Sequence, residues 1–221
     1  MRVHVKLAEL SYQAQLVMPI FDVLRKVERL YQSISLHLTR FGVQLTDIKI
    51  ESTSSNPGDL VVACYLLRVS AVLRYRLDRY EAYFADPRHL GEQTINDVVL
   101  SGMEAVKSVS DNLSVKAHTI VLGIHGEIEG APLMDHLRKY VNYPLSDIRS
   151  LAGAGVVYYL GSEGPRTESI ILFDRSSLVP NGLFLRLTGV LDGGKVTPPE
   201  VHKFIHEDFT MILKGLGVEL N

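Results

Sequence analysis

The sequence predicts an α+β fold made of two related halves, each built as a strand, a helix, three strands and a helix. Three observations support this prediction. A short segment recurs at an offset close to half the chain, apolar residues alternate in runs separated by turn residues, and other apolar residues recur at helical spacing. Consecutive strands joined by short turns indicate a largely antiparallel sheet, with the helices on one face of it.

The recurring segment is "PIFDVLRK" at 19–26 and "PLMDHLRK" at 132–139, which share Pro, Asp, Leu, Arg and Lys. Their start positions, 19 and 132, differ by 113 residues, and the same offset aligns "VVLSGM" at 98–103 with "MILKGL" at 211–216. Two helical segments that agree on one offset predict an internal duplication. We therefore expect a first repeat over 1–110 and a second over 111–221, sharing one continuous core.

Local patterns give the order of elements within the halves. The apolar residues of "VHVKL" and "LSYQAQL" alternate as in a strand, and a break in phase at Ala8–Glu9 predicts a bulge or kink. Pro19 suits the first turn of a helix that Gly42 would end. Thr197 followed by Pro198 marks the start of the last helix. Further strands are predicted at "TDIKIES", "HTIVLGIHGEIE", "GVVYYL", "ESIILF" and "LFLRLTGVL".

Composition places the chain among ordinary globular proteins. Its 221 residues are 46% hydrophobic and 22% charged, and the formal net charge is −2. Such a charge gives no overall positive field, so binding of nucleic acid or an acidic membrane would need a local patch. The single cysteine, Cys64, excludes an internal disulfide. The start lacks the apolar core of a signal peptide, and no apolar stretch approaches the roughly 18 residues of a membrane span, so we expect a cytoplasmic protein.

The order of elements over the whole chain resembles the duplicated, saddle-shaped architecture of TATA-binding protein, although no pair of phenylalanines is placed to intercalate into DNA. The proline-led first helix and the closing "PPEVHKFIHEDFTMILKGLGVEL" are similar to a sporadically distributed family of uncharacterised bacterial proteins of about this length. Both resemblances imply a fold and assign no site residue, because a fold does not fix a function.

The segment "VHKFIHEDF" carries two histidines one helical turn apart, a spacing that can hold zinc on one helix face. Lys203 follows His202, however, where metalloproteases have a glutamate. A third ligand such as His125, His136 or a carboxylate would have to come from elsewhere. We therefore expect His202 and His206 to flank a buried stripe and to bind no metal.

Asp208, in the same segment, is predicted to point into the apolar stripe of the helix. A carboxylate there needs a partner such as an arginine, because burying an unpaired charge is costly. Structural pairing is favoured over catalysis.

"GVLDGGKVT" at 189–197 has the glycines and the lysine of a phosphate-binding loop, but Val196 stands where that motif needs a hydroxyl. Pro198 and Pro199 follow and keep Lys195 out of a regular first helical turn. The segment is predicted to be a hairpin or a strand-to-helix loop.

The strongest surface signal is "LRVSAVLRYRLDRYEAYF" at 67–84, which interleaves arginines, tyrosines and apolar residues. Neither glycine nor proline occurs from Asp59 to Asp86, so this span is either one long bent strand or contains a turn near Asp78. Alternation along a strand predicts one polar stripe. The predicted partner-binding residues are Arg68, Arg74, Arg76, Arg79, Tyr80 and Tyr83.

Two kinds of partner fit such a stripe. Arginines and tyrosines on an exposed sheet can bind phosphates and stack on bases, and the same residues are enriched at protein interfaces. The negative net charge favours the protein interpretation.

The sequence contains no arrangement of nucleophile and base: Gly-x-Ser-x-Gly is absent, and Cys64 has no nearby base. We therefore predict a binding protein, leaning away from an enzyme and needing no cofactor, that presents one face of a curved sheet to a macromolecular partner. A protein partner or self-association through open sheet edges is favoured. A nucleic-acid-binding protein is the alternative, and a metal-dependent enzyme comes third.

Overall fold

The computed structural model describes residues 1–21, 26–51, 57–110, 113–130, 132–137 and 155–221. These residues form an α+β fold in which helices pack against one ten-stranded sheet. The sheet is largely antiparallel, as predicted.

The strands and helices have the following bounds. The strands are β1 (Arg2–Leu16), β2 (Ile48–Glu51), β3 (Val61–Leu66), β4 (Ala71–Tyr75), β5 (Arg79–Phe84), β6 (Val115–Ile128), β7 (Val156–Leu160), β8 (Arg166–Arg175), β9 (Leu183–Asp192) and β10 (Glu219–Leu220). The helices are α1 (Val27–Leu38), α2 (Glu92–Lys107), α3 (Leu133–Leu137) and α4 (Pro198–Gly215).

The pair of β1 and β6 forms the centre of the sheet. The two strands are antiparallel, from Val3 opposite Ile128 to Leu16 opposite Val115. β5, β4, β3 and β2 follow on one side of this pair, and β9, β8 and β7 follow on the other. β10 lies off this path and pairs in parallel with β1. Strands β2 to β5 and strands β7 to β9 therefore lie on opposite sides of the centre.

The predicted break in the first strand is a shift of register within one continuous strand. β1 runs for 15 residues, and its pairing with β6 shifts between Val5 and Leu7, slightly before the predicted position. Side chains of a regular strand alternate between the two faces. Because of the shift, Val3 before it and Ala8 after it are both buried.

The first helix begins later than predicted. Residues 19–21 are not helical, because the Ile20 N–H donates to the Leu77 carbonyl at 2.7 Å and ties this segment to the turn before β5. In the second half, α3 follows directly after Pro132, and the rest of both recurring segments lies largely outside the described residues. The duplication and the division near residue 110 therefore stay predictions.

Two apolar clusters bury the helix side of the sheet. The larger cluster joins α1, α2 and β1 to β5, and it takes in Ile120 of β6 and Val201 of α4. The smaller cluster lies among β8, β9 and α4 and takes in Val3 of β1. Each cluster therefore contains residues from both predicted halves. Fully burying one leucine or isoleucine stabilises a fold by about 1.5–3 kcal/mol, and fully buried examples are Leu30, Ile34, Leu38, Leu73, Leu183, Leu185 and Leu187.

Local signals at helix ends act as the sequence predicts. Gly42, with φ 78°, lies directly after the 3₁₀ turn that ends α1, in a left-handed conformation that glycine adopts without strain. At the start of α4, the Glu200 carboxylate accepts hydrogen bonds from the Thr197 N–H at 2.8 Å and from its hydroxyl at 2.7 Å. These bonds lower the pKa of Glu200.

Candidate functional site

The candidate site is the face of the sheet opposite the helices, called the outer face below. Alternate residues of each strand point to it. One row of cross-strand neighbours runs from Val72 through Tyr83, Ser11, Val121, Thr188 and Ile170 to Tyr159. Strands β2 to β5 form its charged half, and strands β6 to β9 form its apolar half.

Arginines near the turn between β4 and β5 are paired with carboxylates of the same region. Arg79 donates from Nε to Glu81 at 2.6 Å and from Nη1 to Asp78 at 2.9 Å. The hydrogen bond to Glu81 raises the pKa of Arg79. Arg76 Nε lies 3.6 Å from the same Glu81 carboxylate. The turn itself is closed by the Arg76 N–H, which donates to the Arg79 carbonyl at 2.9 Å. Of the two alternatives that the sequence left open for this span, one long bent strand or a turn near Asp78, the structure therefore has the turn.

Arg74 belongs to a second group of paired charges on β2, β3 and β4. Its Nε lies 3.8 Å from Glu51, whose carboxylate also accepts the Tyr65 hydroxyl hydrogen. This hydrogen bond raises the pKa of Tyr65. Lys49 Nζ lies 5.3 Å from the centre of the Tyr65 ring, within reach of a cation–π interaction. Cations and carboxylates thus alternate across the charged half.

Tyr83 connects the charged half to the centre of the sheet. Its hydroxyl donates to Glu9 on β1 at 3.1 Å, and burial is the main cause that raises its pKa. The Glu9 side chain lies over Gly123 of β6, where an added Cβ would lie 2.9 Å from Glu9 Cγ. A side chain at position 123 would therefore displace Glu9 from its contact with Tyr83.

Tyr80 was wrongly predicted to lie on the outer face. It is 3% exposed and points to the helix side, where its ring packs 5.4 Å from Tyr75 and 6.2 Å from Tyr12. The turn near Asp78 reverses the chain, and Tyr80 is then the direct cross-strand neighbour of the buried Tyr75. Burial raises the pKa of both hydroxyls well above the ordinary value for tyrosine.

Arg68 also lies away from the stripe. It belongs to a 3₁₀ turn, Leu67–Val69, between β3 and β4, and its guanidinium lies against Gly42, whose added Cβ would meet Arg68 Cζ at 2.7 Å. Ser70, with φ 48°, ends this turn in a left-handed conformation. The structure therefore brings together Arg74, Arg76, Arg79 and Tyr83 of the predicted residues.

The apolar half is the part of the outer face that sequence reasoning missed. Val157 and Tyr159 on β7 are 45% and 73% exposed, and their neighbours Leu172 and Ile170 on β8 are half-buried. The alternation in "VVYYL" predicted a strand but did not reveal which side faces the core. Arg186 is an exposed cation on this half, opposite Leu172.

His125 packs into the apolar half as a structural residue. Its ring stacks on Phe184 with centroids 4.5 Å apart, and its Nδ1 lies 2.9 Å from the Ser176 hydroxyl. Ser176 Oγ also accepts the Leu178 and Val179 N–H groups, so its own hydrogen is directed to His125 Nδ1. Burial lowers the pKa of His125. Because two backbone N–H groups donate to its hydroxyl, Ser176 serves to hold the turn that follows β8.

Asp208 is buried and paired with an arginine, as its place on the apolar stripe required. Both of its carboxylate oxygens lie 2.7 Å from Arg166 Nε and share its single hydrogen, and Oδ1 also lies 2.6 Å from Nη2. The carboxylate raises the pKa of Arg166. The pair joins α4 to the first residue of β8.

The structure describes the side chain of only one of the two histidines of α4. His206 is exposed, whereas the side chain of His202 lies outside the described residues. Within the described part of the chain, no three side chains of His, Cys, Asp or Glu are grouped as metal ligands. The absence of metal at His202 and His206 stays a prediction.

The segment that resembles a phosphate-binding loop connects β9 to α4, as predicted. Asp192 Oδ1 accepts the Gly194 N–H at 2.9 Å, and the Lys195 N–H donates to the Asp192 carbonyl at 3.0 Å. The Lys195 ammonium lies 3.6 Å from the Asp192 carboxylate. The loop therefore satisfies its own polar groups as a tight turn.

These features define an α+β protein with a mixed charged and apolar sheet face. No family model matches its sequence, and no curated protein matches it, so the similarity to a bacterial family gains no support. Among solved structures the chain is similar to a TBP of Methanococcus jannaschii, with 13% identity and a TM-score of 0.35, over 97% of this chain and 98% of that one.

It is also similar to a rolling circle replication initiator protein from Geobacillus stearothermophilus, with 11% identity and a TM-score of 0.31, over 93% of this chain and 80% of that one. Likenesses this low assign no function. Among the described residues, no helix has both the length and the apolar character required to cross a membrane.

Proposed function

We propose that the protein is a non-catalytic binding protein whose outer face binds a protein partner. The observation that carries this proposal is the pairing of Arg74, Arg76 and Arg79 with carboxylates of the same face. Paired arginines present a balanced surface that offers donors and acceptors together. The proposal requires neither a metal nor a cofactor.

The chemistry of the whole face supports a protein partner. The apolar half runs from β6 to the end strand β7, which carries the exposed Tyr159 and Val157, and the charged half lies on the other side of the central pair. Protein interfaces combine an apolar, aromatic centre with a polar rim, and tyrosine and arginine are enriched among residues that dominate binding. Both parts are present on one continuous surface.

A nucleic acid is the alternative partner and is less favoured. Affinity for a phosphate backbone comes mainly from cations that release condensed counterions. Here a phosphate would have to displace Glu81 from both Arg76 and Arg79, and Glu51 from Arg74. Each displacement offsets part of the gain, so strong salt-dependent binding is not expected.

The proposal extends to the origin of the face and to self-association. We infer that the sheet arose by duplication, because β1 and β6 pair at its centre and strands of each half follow outward. The two end strands of the described sheet, β2 and β7, offer edges through which a second copy could add. Self-association is tested by measuring the molecular mass in solution at several protein concentrations.

A photoreactive amino acid at position 159 tests the proposed face. Leu36, which is 74% exposed on α1, provides the control position on the helix side. We expect crosslinks in cells from position 159 to a protein, resistant to nuclease, and none to that protein from position 36. The partner is then purified, and Tyr159→Glu should weaken its binding at least tenfold, as for a residue that dominates an interface.

The proposal fails if material crosslinked at position 159 is DNA or RNA, or if Tyr159→Glu leaves affinity for the crosslinked protein unchanged. Tight binding of a mixed-sequence oligonucleotide that weakens steeply with salt would establish the alternative. Tyr159 is mainly exposed, so its substitution tests binding without disturbing the fold.

A further inference from the structure

A cavity of about 210 Å³ lies on the helix side of the sheet, between α2 and α4. Its floor is formed by β1 and β6, and its walls come from one helix of each predicted half. It is independent of the outer face and of any partner there. Its lining includes Tyr12, Phe84, Asn96, Val99, His206 and Phe209.

The two helices are anchored to different parts of the sheet, and the cavity lies between the anchors. On α2, Gly102 lies directly against the Tyr80 hydroxyl of β5. On α4, Asp208 is bonded to Arg166 of β8, and Ile212 is buried in the smaller apolar cluster.

The cavity wall is mainly apolar. Phe209 of α4 contributes a half-buried ring, and Leu10, Ile95 and Leu122 contribute half-buried aliphatic groups, whereas Tyr12 and Phe84 are almost entirely buried. Aromatic side chains favour edge-to-face or offset contacts with another ring. This lining is suited to a flat aromatic ligand.

Polar contacts in the cavity come from few groups. The Tyr12 hydroxyl is already engaged, because it lies 2.8 Å from His118 Nδ1 and donates to Met103 sulfur at 3.3 Å. Asn96 on α2 is a polar residue of the described lining. A ligand can therefore place one hydrogen-bonding group against Asn96 and its ring against the sheet.

We propose that this cavity binds one small aromatic molecule with a single hydrogen-bonding group, of the class of phenols and indoles. Size supports this class: a dry cavity of about 150 Å³ lined by leucine, isoleucine and phenylalanine binds benzene, and the cavity here is larger by the volume of a substituent or a fused ring.

Titration of the whole protein with phenol, indole and benzene, followed by calorimetry and by methyl chemical shifts, tests the proposal. We expect saturable binding of one molecule and shifts at Ile95, Val99 and Leu122, which line the cavity. Val99→Phe should fill the space and weaken binding more than tenfold. Val190→Phe makes the same change on the outer face of β9 and should leave affinity unaltered.

Asn96→Leu separates the polar contact from the apolar one. Losing one hydrogen bond should weaken phenol binding by about fivefold while benzene binding is retained. Failure of the unmodified protein to bind any of the three probes saturably would overturn the proposal. So would unchanged binding to Val99→Phe, or methyl shifts confined to the outer face.

Discussion

The hydroxyl of Tyr80 lies against the backbone of Gly102, so close that a Cβ at position 102 would overlap it. This contact is where α2 approaches β5. Gly102→Ala should lower the free energy of unfolding by about 1–3 kcal/mol, because overpacking forces neighbouring groups to move. Urea denaturation measures the loss.

A double variant that combines Gly102→Ala with Tyr80→Phe provides the control for this prediction. Within the described structure, Tyr80 Oη has no hydrogen-bond partner, so Tyr80→Phe alone should change stability little. With phenylalanine at position 80, Gly102→Ala should cost less than it does alone, since the closest atom is gone. Additive losses in the double variant would show that the contact is not the cause.

The pair of Arg166 and Asp208 should contribute strongly to the attachment of α4. Their side chains are 22% and 10% exposed, and removing one partner of a buried ion pair costs about 3–5 kcal/mol because the other charge stays unpaired. Asp208→Ala should approach this value, reduced somewhat by the exposure of Arg166. Thermal and urea unfolding both report it.

A surface pair offers the comparison. On α2, Lys107 Nζ lies 2.6 Å from Glu104 Oε1, and both side chains are about half exposed. Lys107→Ala should change the free energy of unfolding by less than about 1 kcal/mol. Similar losses from the two substitutions would contradict the role assigned to Asp208. Replacing Arg166 and Asp208 together by methionine and leucine should restore much of the stability.

Cys64 should be unreactive in the folded protein. It is fully buried, and burial, with a smaller effect of the Asp47 charge, raises its pKa to about 12. Since the thiolate is the reactive form, an aromatic disulfide reagent at pH 8 should modify Cys64 only after unfolding. Leu36→Cys adds an exposed thiol that should react at once.

The same shift predicts a loss of stability in alkali. Well below pH 9 the thiol is protonated in both the folded and the unfolded chain, so it contributes no pH dependence there. Between the ordinary pKa of 9.0 and the folded value of about 12, the unfolded chain loses the proton first and stability falls. Stability that rises over this pH range would contradict the assignment.

Reversing a paired charge on the outer face should be more costly than reversing an exposed one. Arg74 lies near Glu51 and directly opposite Glu81, so Arg74→Glu places like charges together and should cost about 1 kcal/mol. Arg186 is the exposed cation of the apolar half, and Arg186→Glu should change the free energy of unfolding by no more than about 0.5 kcal/mol. Equal effects would show that the ion pairs contribute nothing.

Sequence patterns predicted the parts of this structure that depend on neighbouring residues. Alternation and turn residues gave the α+β class, and the helical spacing around Asp208 indicated that it needs a cation. Those signals are contained within a few residues of each position. The turn near Asp78 was only one of two alternatives, because neither glycine nor proline marks it.

The wrong assignments depend on geometry that alternation cannot encode. Each turn changes which residues of the next strand face the core. Tyr80 therefore points to the helix side of the sheet and not to the outer face. The 3₁₀ turn Leu67–Val69 takes Arg68 out of the strands that carry the other arginines. The cavity is composed of residues as distant in sequence as Leu10, Val99 and Phe209, and only folding brings them together.

The central pairing of β1 with β6 has a consequence for the order of events during synthesis. Leu10 pairs with Leu122, so one edge of the first strand stays without its partner until more than half of the chain has left the ribosome. An unpaired edge is a template for pairing with other chains, and contacts distant in sequence form slowly. Nascent chains that end before β6 should therefore aggregate or engage chaperones, and release from that state should coincide with the emergence of β6.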